Sequence, residues 1–134
     1  MNTPRDDSET PPVDPGRPRF GYAPEEPTPP AVSIVTPFYD AGAEFTETAE
    51  SVLRQSLQSF EWILVDDASS DPRALALLDD VAARDARVRV MRHERNRGRS
   101  AARNTGFRAA ASGFVYALDQ DDLLEPTALE KCLW

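Results

Sequence analysis

Four short stretches of this chain are almost wholly apolar, and amphipathic segments separate them. AVSIVTPF (Ala31–Phe38) is a β-branched run closed by Pro37, the pattern of a buried strand that ends in a loop. From Glu44 to Leu57, the residues Phe45, Ala49, Val52, Leu53 and Leu57 recur at helical spacing. EWILV (Glu61–Val65) reads as a second buried strand and stops at Asp66 and Asp67. Asp71 is placed to cap a helix that carries Pro72 at its first position and continues through Leu75, Leu78 and Val81. RVRVM (Arg87–Met91) alternates as a third strand, Asn96–Gly98 forms a turn, and the Ala-rich Ser100–Ala111 forms a helix ended by Ser112-Gly113. FVYAL (Phe114–Leu118) is the fourth strand, and Glu125–Leu133 is expected to be a helix.

The order is β-α-β-α-β-α-β-α. Apolar strands alternating with helices predict an α/β fold with a parallel sheet covered on both faces and right-handed crossovers. Ligands of such sheets bind outside the carboxyl ends of the strands. The polar residues expected at that edge are Thr36, Asp66, Asp67, Asp119 and Asp121.

The aspartates after the fourth strand carry the clearest chemistry. In an extended stretch Asp119 and Asp121, separated by Gln120, point to the same side. Converging carboxylates require a cation between them or a shared proton. A hard divalent ion, Mg²⁺ or Mn²⁺, binds through one or two carboxylates with phosphate and water oxygens. The plainer role is a helix N-cap from Asp121 or Asp122, but a cap needs one aspartate and three are present. Asp66 and Asp67, at the end of the second strand, suit either a metal or a base N–H or ribose hydroxyl.

HERNRGRSAARNTGFR (His93–Arg108) is a local positive region. It surrounds a turn and a helix start, where backbone N–H groups also favour anions, and a diphosphate fits such a place. At least half of its arginines are expected to be solvated or paired with nearby acids. His93, alone after a strand, reads as structural rather than as a base. Neither a G-x-G-x-x-G after the first strand nor a G-x-x-x-x-G-K-[ST] is present.

Composition adds limits. The formal net charge of −8 argues against a nucleic-acid partner. Nine of the 12 prolines fall in residues 1–30, which read as a disordered, Pro-rich acidic tail. The single cysteine, Cys132, fits a reducing compartment and a small apolar packing role. No apolar stretch reaches the roughly 18 to 20 residues that span a bilayer, and MNTPRDDSETPP lacks the apolar core of a signal peptide. A cytoplasmic chain is expected, with any membrane association supplied from outside it.

Taken together, VSIVTPFYDAG, FEWILVDDASSD and NRGRSAARNTGFRAAASGFVYALDQDD resemble the N-terminal half of the family 2 glycosyltransferases, which have the GT-A fold. The likeness runs from about Ala31 to Trp134, with three motifs in family order. It implies a Rossmann-like nucleotide-binding half domain over residues 31–134. In family terms Thr36, Pro37 and Phe38 line the base pocket, Asp67 contacts the base with Asp66 beside it, and Arg99 lies near the base or diphosphate. Asp119 and Asp121 match the D-x-D motif, the first facing the ribose and the metal shell and the second ligating Mg²⁺ or Mn²⁺. The resemblance implies a nucleotide-sugar donor, commonly a UDP-sugar, an inverting transfer and an acceptor that the residues do not identify. It places the acceptor site and the catalytic base in a further half of the family's domain, so the chain reads as truncated, with an exposed sheet edge and a half-covered face. The alternative is an inactive fragment that binds nucleotide or a partner protein. A receiver-like phosphate-transfer domain would also place acids at strand ends, but the Arg-rich crossover and the lack of a lysine other than Lys131 argue against it.

Overall fold

Residues 28–134 are described by the computed structural model; the expected tail lies outside them except for its last three residues. Strands β1 (Val32–Phe38), β2 (Phe60–Asp66), β3 (Val88–Arg92) and β4 (Val115–Ala117) alternate with helices α1 (Glu44–Leu53), α2 (Pro72–Arg84), α3 (Arg99–Ala109) and α4 (Ala128–Cys132). The four strands form one parallel sheet in the order β3-β2-β1-β4. Val32 lies opposite Phe60 and Phe38 opposite Asp66, so β1 and β2 end at the same level. Both central strands are buried almost throughout, which is why their sequences lack a polar alternation.

Alternate residues of the two central strands feed different cores. Val32, Ile34, Phe38, Phe60, Trp62 and Leu64 join Phe45, Ala49 and Val52 of α1 and Ala74, Leu78 and Val81 of α2. Val35, Ile63 and Val65 face the other way, onto Ala102 of α3. From β1 the chain winds outward through β2 to β3 with α1 and α2 on one face. It then returns past β1 to β4 with α3 on the opposite face, which keeps all three crossovers the same hand. The direction of winding therefore reverses between β1 and β4, the place where doubly wound sheets open a crevice for ligands.

Two expected boundaries shift. Helix α1 stops at Leu53, and the next turn is replaced by Gln55. This buried side chain donates to the carbonyls of Ser51 (3.1 Å) and Glu125 (2.7 Å) and accepts from the N–H of Leu129 (3.0 Å), so it ties α1 to α4. Leu57 still packs against the core. Helix α4 begins only at Ala128, because Glu125–Thr127 turn first and the Pro126 carbonyl accepts the Ser56 N–H (2.9 Å). The α2 cap is as expected: Asp71 accepts from the Arg73 N–H (2.9 Å), with Pro72 at the first position.

The edge strand β4 has three residues, and the second face buries far fewer side chains than the first. Phe107 and Phe114 remain about two-fifths exposed on the α3 and β4 side. No helix among the described residues is long and apolar enough to cross a membrane. Cys132 is free and half-buried.

Helix α3 approaches β1 through Gly106, where a Cβ would overlap the Val35 side chain. Overpacking costs about 1–3 kcal/mol, and alanine's helix propensity returns about 1 kcal/mol. Gly106→Ala is therefore expected to lower stability, on the order of 1 kcal/mol, in a denaturant titration. A gain in stability would show that α3 can move away from the sheet.

Candidate functional site

The carboxyl ends of β1, β2 and β4 and the start of α3 surround a cavity of about 260 Å³. It is lined by Pro37 and Phe38 at the end of β1, Tyr39 just beyond it, Asp67 after β2, and Asp119, Gln120 and Asp121 after β4. Asn96, Gly98 and Arg99 close it from the α3 side. The cavity thus occupies the crevice where the winding reverses.

Asp67 is buried and heavily hydrogen-bonded. Its Oδ1 accepts from the Arg97 N–H (2.8 Å) and lies 2.8 Å from His93 Nδ1, and its Oδ2 accepts from the Gly98 N–H (2.8 Å). Burial alone would push the Asp67 carboxyl up, but the bonds from His93, Arg97 and Gly98 outweigh it and hold the group below the usual carboxylate range. A carboxylate offers about four lone-pair sites. Three are filled, and one on Oδ2 remains for a ligand donor. Gly98 can give its N–H because its φ of 98° is one that residues with a side chain rarely adopt.

The loop after β4 is a turn, not the extended stretch expected. The Asp122 N–H donates to the Asp119 carbonyl (3.2 Å). Gln120, between the acids, is used structurally: its Oε1 accepts from the Tyr39 N–H (2.8 Å) and its Nε2 donates to the Tyr39 carbonyl (3.3 Å). Thr48 of α1 donates to the Gln120 carbonyl (3.1 Å). These bonds fix the turn so that Asp119 and Asp121 line the same cavity. The cap role considered for Asp121 or Asp122 is not adopted, since α4 starts after Thr127 and has no side-chain cap.

Two expected contacts fall outside the cavity. Thr36 is fully buried, and its Oγ1 accepts from Trp62 Nε1 (2.9 Å). Its β1 position turns it into the larger core, beneath the floor. Asp66 is also buried; it pairs with Arg92 (2.9 Å) and accepts from the Ser69 N–H (3.0 Å). Of the two adjacent acids only Asp67 lines the cavity.

The arginines divide as expected in kind. Arg92 pairs with Asp66 and Asp79, and Arg103 of α3 pairs with Asp119 Oδ1 (3.1 Å). Arg99 is exposed at the first turn of α3 and lines the cavity, next to the helix's first N–H groups. Tyr39, Asn96, Gly98, Gln120 and Arg103 were not singled out from sequence. Asn96 and Gly98 carried a local signal as the ends of a recognisable turn, and Arg103 as part of the positive region.

The donor set fits a divalent ion in one way. Among the described residues no group of three or more His, Cys, Asp or Glu side chains converges, so the protein offers at most the two carboxylates of Asp119 and Asp121. Mg²⁺ is commonly held by one or two carboxylates with phosphate and water oxygens completing its shell. Asp119 keeps an oxygen free of Arg103 for this.

The chain resembles known proteins over its described part. It is 40% identical over 102 residues to the uncharacterized glycosyltransferase EpsJ of Bacillus subtilis, covering 76% of this chain and 29% of EpsJ. Among solved structures, S. aureus TarS 1-349 in complex with UDP matches with a TM-score of 0.69 and 27% identity, over 76% of this chain and 30% of that one. The complex of the same protein with UDP-GlcNAc matches with a TM-score of 0.67 and 26% identity, over the same shares. The chain thus spans less than a third of these relatives. The model of glycosyl transferase family 2 matches residues 33–133, almost the whole described region, and the chain belongs to that family.

Proposed function

We propose that this chain forms the donor-binding part of a metal-dependent glycosyltransferase, one that moves a sugar from a UDP-sugar to an acceptor hydroxyl with inversion. The observation that carries this reading is the convergence of Asp67, Arg99, Asp119 and Asp121 on one cavity at the reversal of the sheet. TarS, similar in fold, is solved with UDP and with UDP-GlcNAc.

Each lining residue has a chemical role in that reading. The free Oδ2 site of Asp67 accepts a ring N–H of the base, and Pro37 and Tyr39 flank it. Asp119 faces the ribose and, with Asp121, supplies the carboxylate oxygens for Mg²⁺ or Mn²⁺. When bound, such an ion supplies Lewis-acid stabilisation for the charge on the departing diphosphate oxygen. Arg99 and the α3 N–H groups add positive potential on the other side of the diphosphate. Arg103 holds Asp119 in place. Thr36 and Asp66 support the floor and the rim. The acceptor and its general base are assigned to no residue of this chain.

Calorimetric titration with UDP, GDP, CDP and ADP tests the donor. UDP binding well above that of the two purine nucleotides is expected, because a cavity of this size closed by Asp67 suits a pyrimidine with a ring N–H. Equal binding of all four would remove Asp67 from base recognition.

A further inference from the structure

The buried contact between Asp67 and His93 reaches beyond the cavity wall. His93 follows β3, its side chain is only 6% exposed, and both ring nitrogens are engaged. Nδ1 lies 2.8 Å from Asp67 Oδ1, and Nε2 lies 2.8 Å from Oγ1 of Thr105 on α3. Thr105 is held in turn by its bond to the Ala101 carbonyl (3.0 Å), one turn back on the helix. An ionised carboxylate has no hydrogen to give, so Nδ1 must be the donor to Asp67. The result is a chain of contacts from the middle of α3, through Thr105 and His93, to Oδ1 of Asp67.

We propose that His93 is a positioning residue for nucleotide recognition: its Nδ1–H sets the rotation of the Asp67 carboxylate and so aims the free Oδ2 site into the cavity. The inference rests on the reading of the cavity as a nucleotide site. Its physical logic is that of an oriented ligand group, where the ring nitrogen not facing the functional atom determines the tautomer and the orientation of the other. The N–H groups of Arg97 and Gly98 belong to a loop and move with it. His93 and Thr105 instead refer Asp67 to β3 and to α3, the helix that packs on β1 through Gly106. Helix α3 also reaches two of the cavity's three acids, Asp67 through Thr105 and His93 and Asp119 through Arg103.

Two substitutions separate the ring's ends. The amide nitrogen of asparagine falls near the place of Nδ1, and that of glutamine near Nε2. His93→Asn keeps the bond to Asp67 and gives up Thr105; His93→Gln does the reverse. With both variants shown to be folded, UDP affinity in His93→Asn is expected to stay within about threefold of the unsubstituted chain. In His93→Gln it is expected to fall about tenfold or more, the loss typical of a bond to a charged group. A merely structural histidine would give equal losses in both variants, and that result would overturn the proposal, as would no loss in either.

A second readout needs no nucleotide. The chain has one histidine, so its ring nitrogens are identified in a ¹⁵N spectrum without ambiguity. A slowly exchanging Nδ1–H is expected, and it should be lost in Asp67→Ala. If the unsubstituted chain binds no UDP, the nucleotide reading fails while the Nδ1 signal still decides the His93 contact. A freely exchanging ring overturns the contact whatever the titration shows.

Discussion

Asp67→Ala is expected to abolish nucleotide binding and to cost about 3 kcal/mol or more of stability. The substitution removes the acceptor of three donors at once: the Arg97 and Gly98 N–H groups and the His93 ring. An orphaned buried donor costs about 1–3 kcal/mol, and here three part-buried donors lose their acceptor together. The loop between β3 and α3 loses the bonds that hold Gly98 at its positive φ, so Asn96 and Arg99 should lose their places with it. The effect has a pH signature. Because the Asp67 carboxyl is held below its ordinary range, its contribution is complete at neutral pH and is lost as pH falls through that lowered value. Denaturant midpoints of the two proteins should therefore converge in acid. A constant gap down to strongly acidic pH would contradict the assignment of Asp67 as the ionised hub.

The second large effect is expected at the floor. Trp62→Ala should cost about 3–5 kcal/mol, against a total stability of about 5–15 kcal/mol for a typical domain. Trp62 is fully buried, and its ring lies 5.9 Å from that of Phe45. Phe45 in turn meets Phe38 edge-on at 4.9 Å, directly beneath the cavity. The indole N–H is the partner of Thr36 Oγ1, so removing the ring also leaves a buried hydroxyl without its donor. Trp62→Phe, which keeps most of the ring and loses the N–H, is expected to recover more than half of the loss. The comparison by chemical denaturation divides packing from hydrogen bonding. Equal losses in the two variants would mean that the Thr36 bond, not the ring, holds this part of the core.

Much of this arrangement was legible in the sequence because it follows from periodicity. The apolar runs Ala31–Phe38 and Glu61–Val65 predicted buried parallel strands, and Asp71-Pro72 marked the start of α2 to the residue. Asp67, Asp119 and Asp121 were expected at the strand ends and Arg99 near them from the family resemblance, and all four line the cavity. The departures arise where a side chain's partner is distant in sequence. Gln55 looked like one more helical residue, yet its bonds to Glu125 and Leu129 replace the last turn of α1. Gln120 looked like a spacer between two metal ligands, and instead clamps the Tyr39 backbone. The family resemblance put Thr36 and Asp66 beside the ligand, but Thr36 bonds to Trp62 in the core and Asp66 pairs with Arg92. The structural part expected of His93 is more specific than a lone histidine could suggest, since Asp67 and Thr105 lie 26 and 12 residues away.

The central claim is that this cavity binds a nucleoside diphosphate through a divalent ion on Asp119 and Asp121. Calorimetric titration of UDP with and without Mn²⁺, into the unsubstituted chain and into Asp121→Asn, tests it most directly. Binding is expected to require Mn²⁺ in the first and to be lost in the second. Failure of the folded chain to bind UDP or any other nucleoside diphosphate with Mn²⁺ present, or unchanged binding by Asp121→Asn, would contradict it.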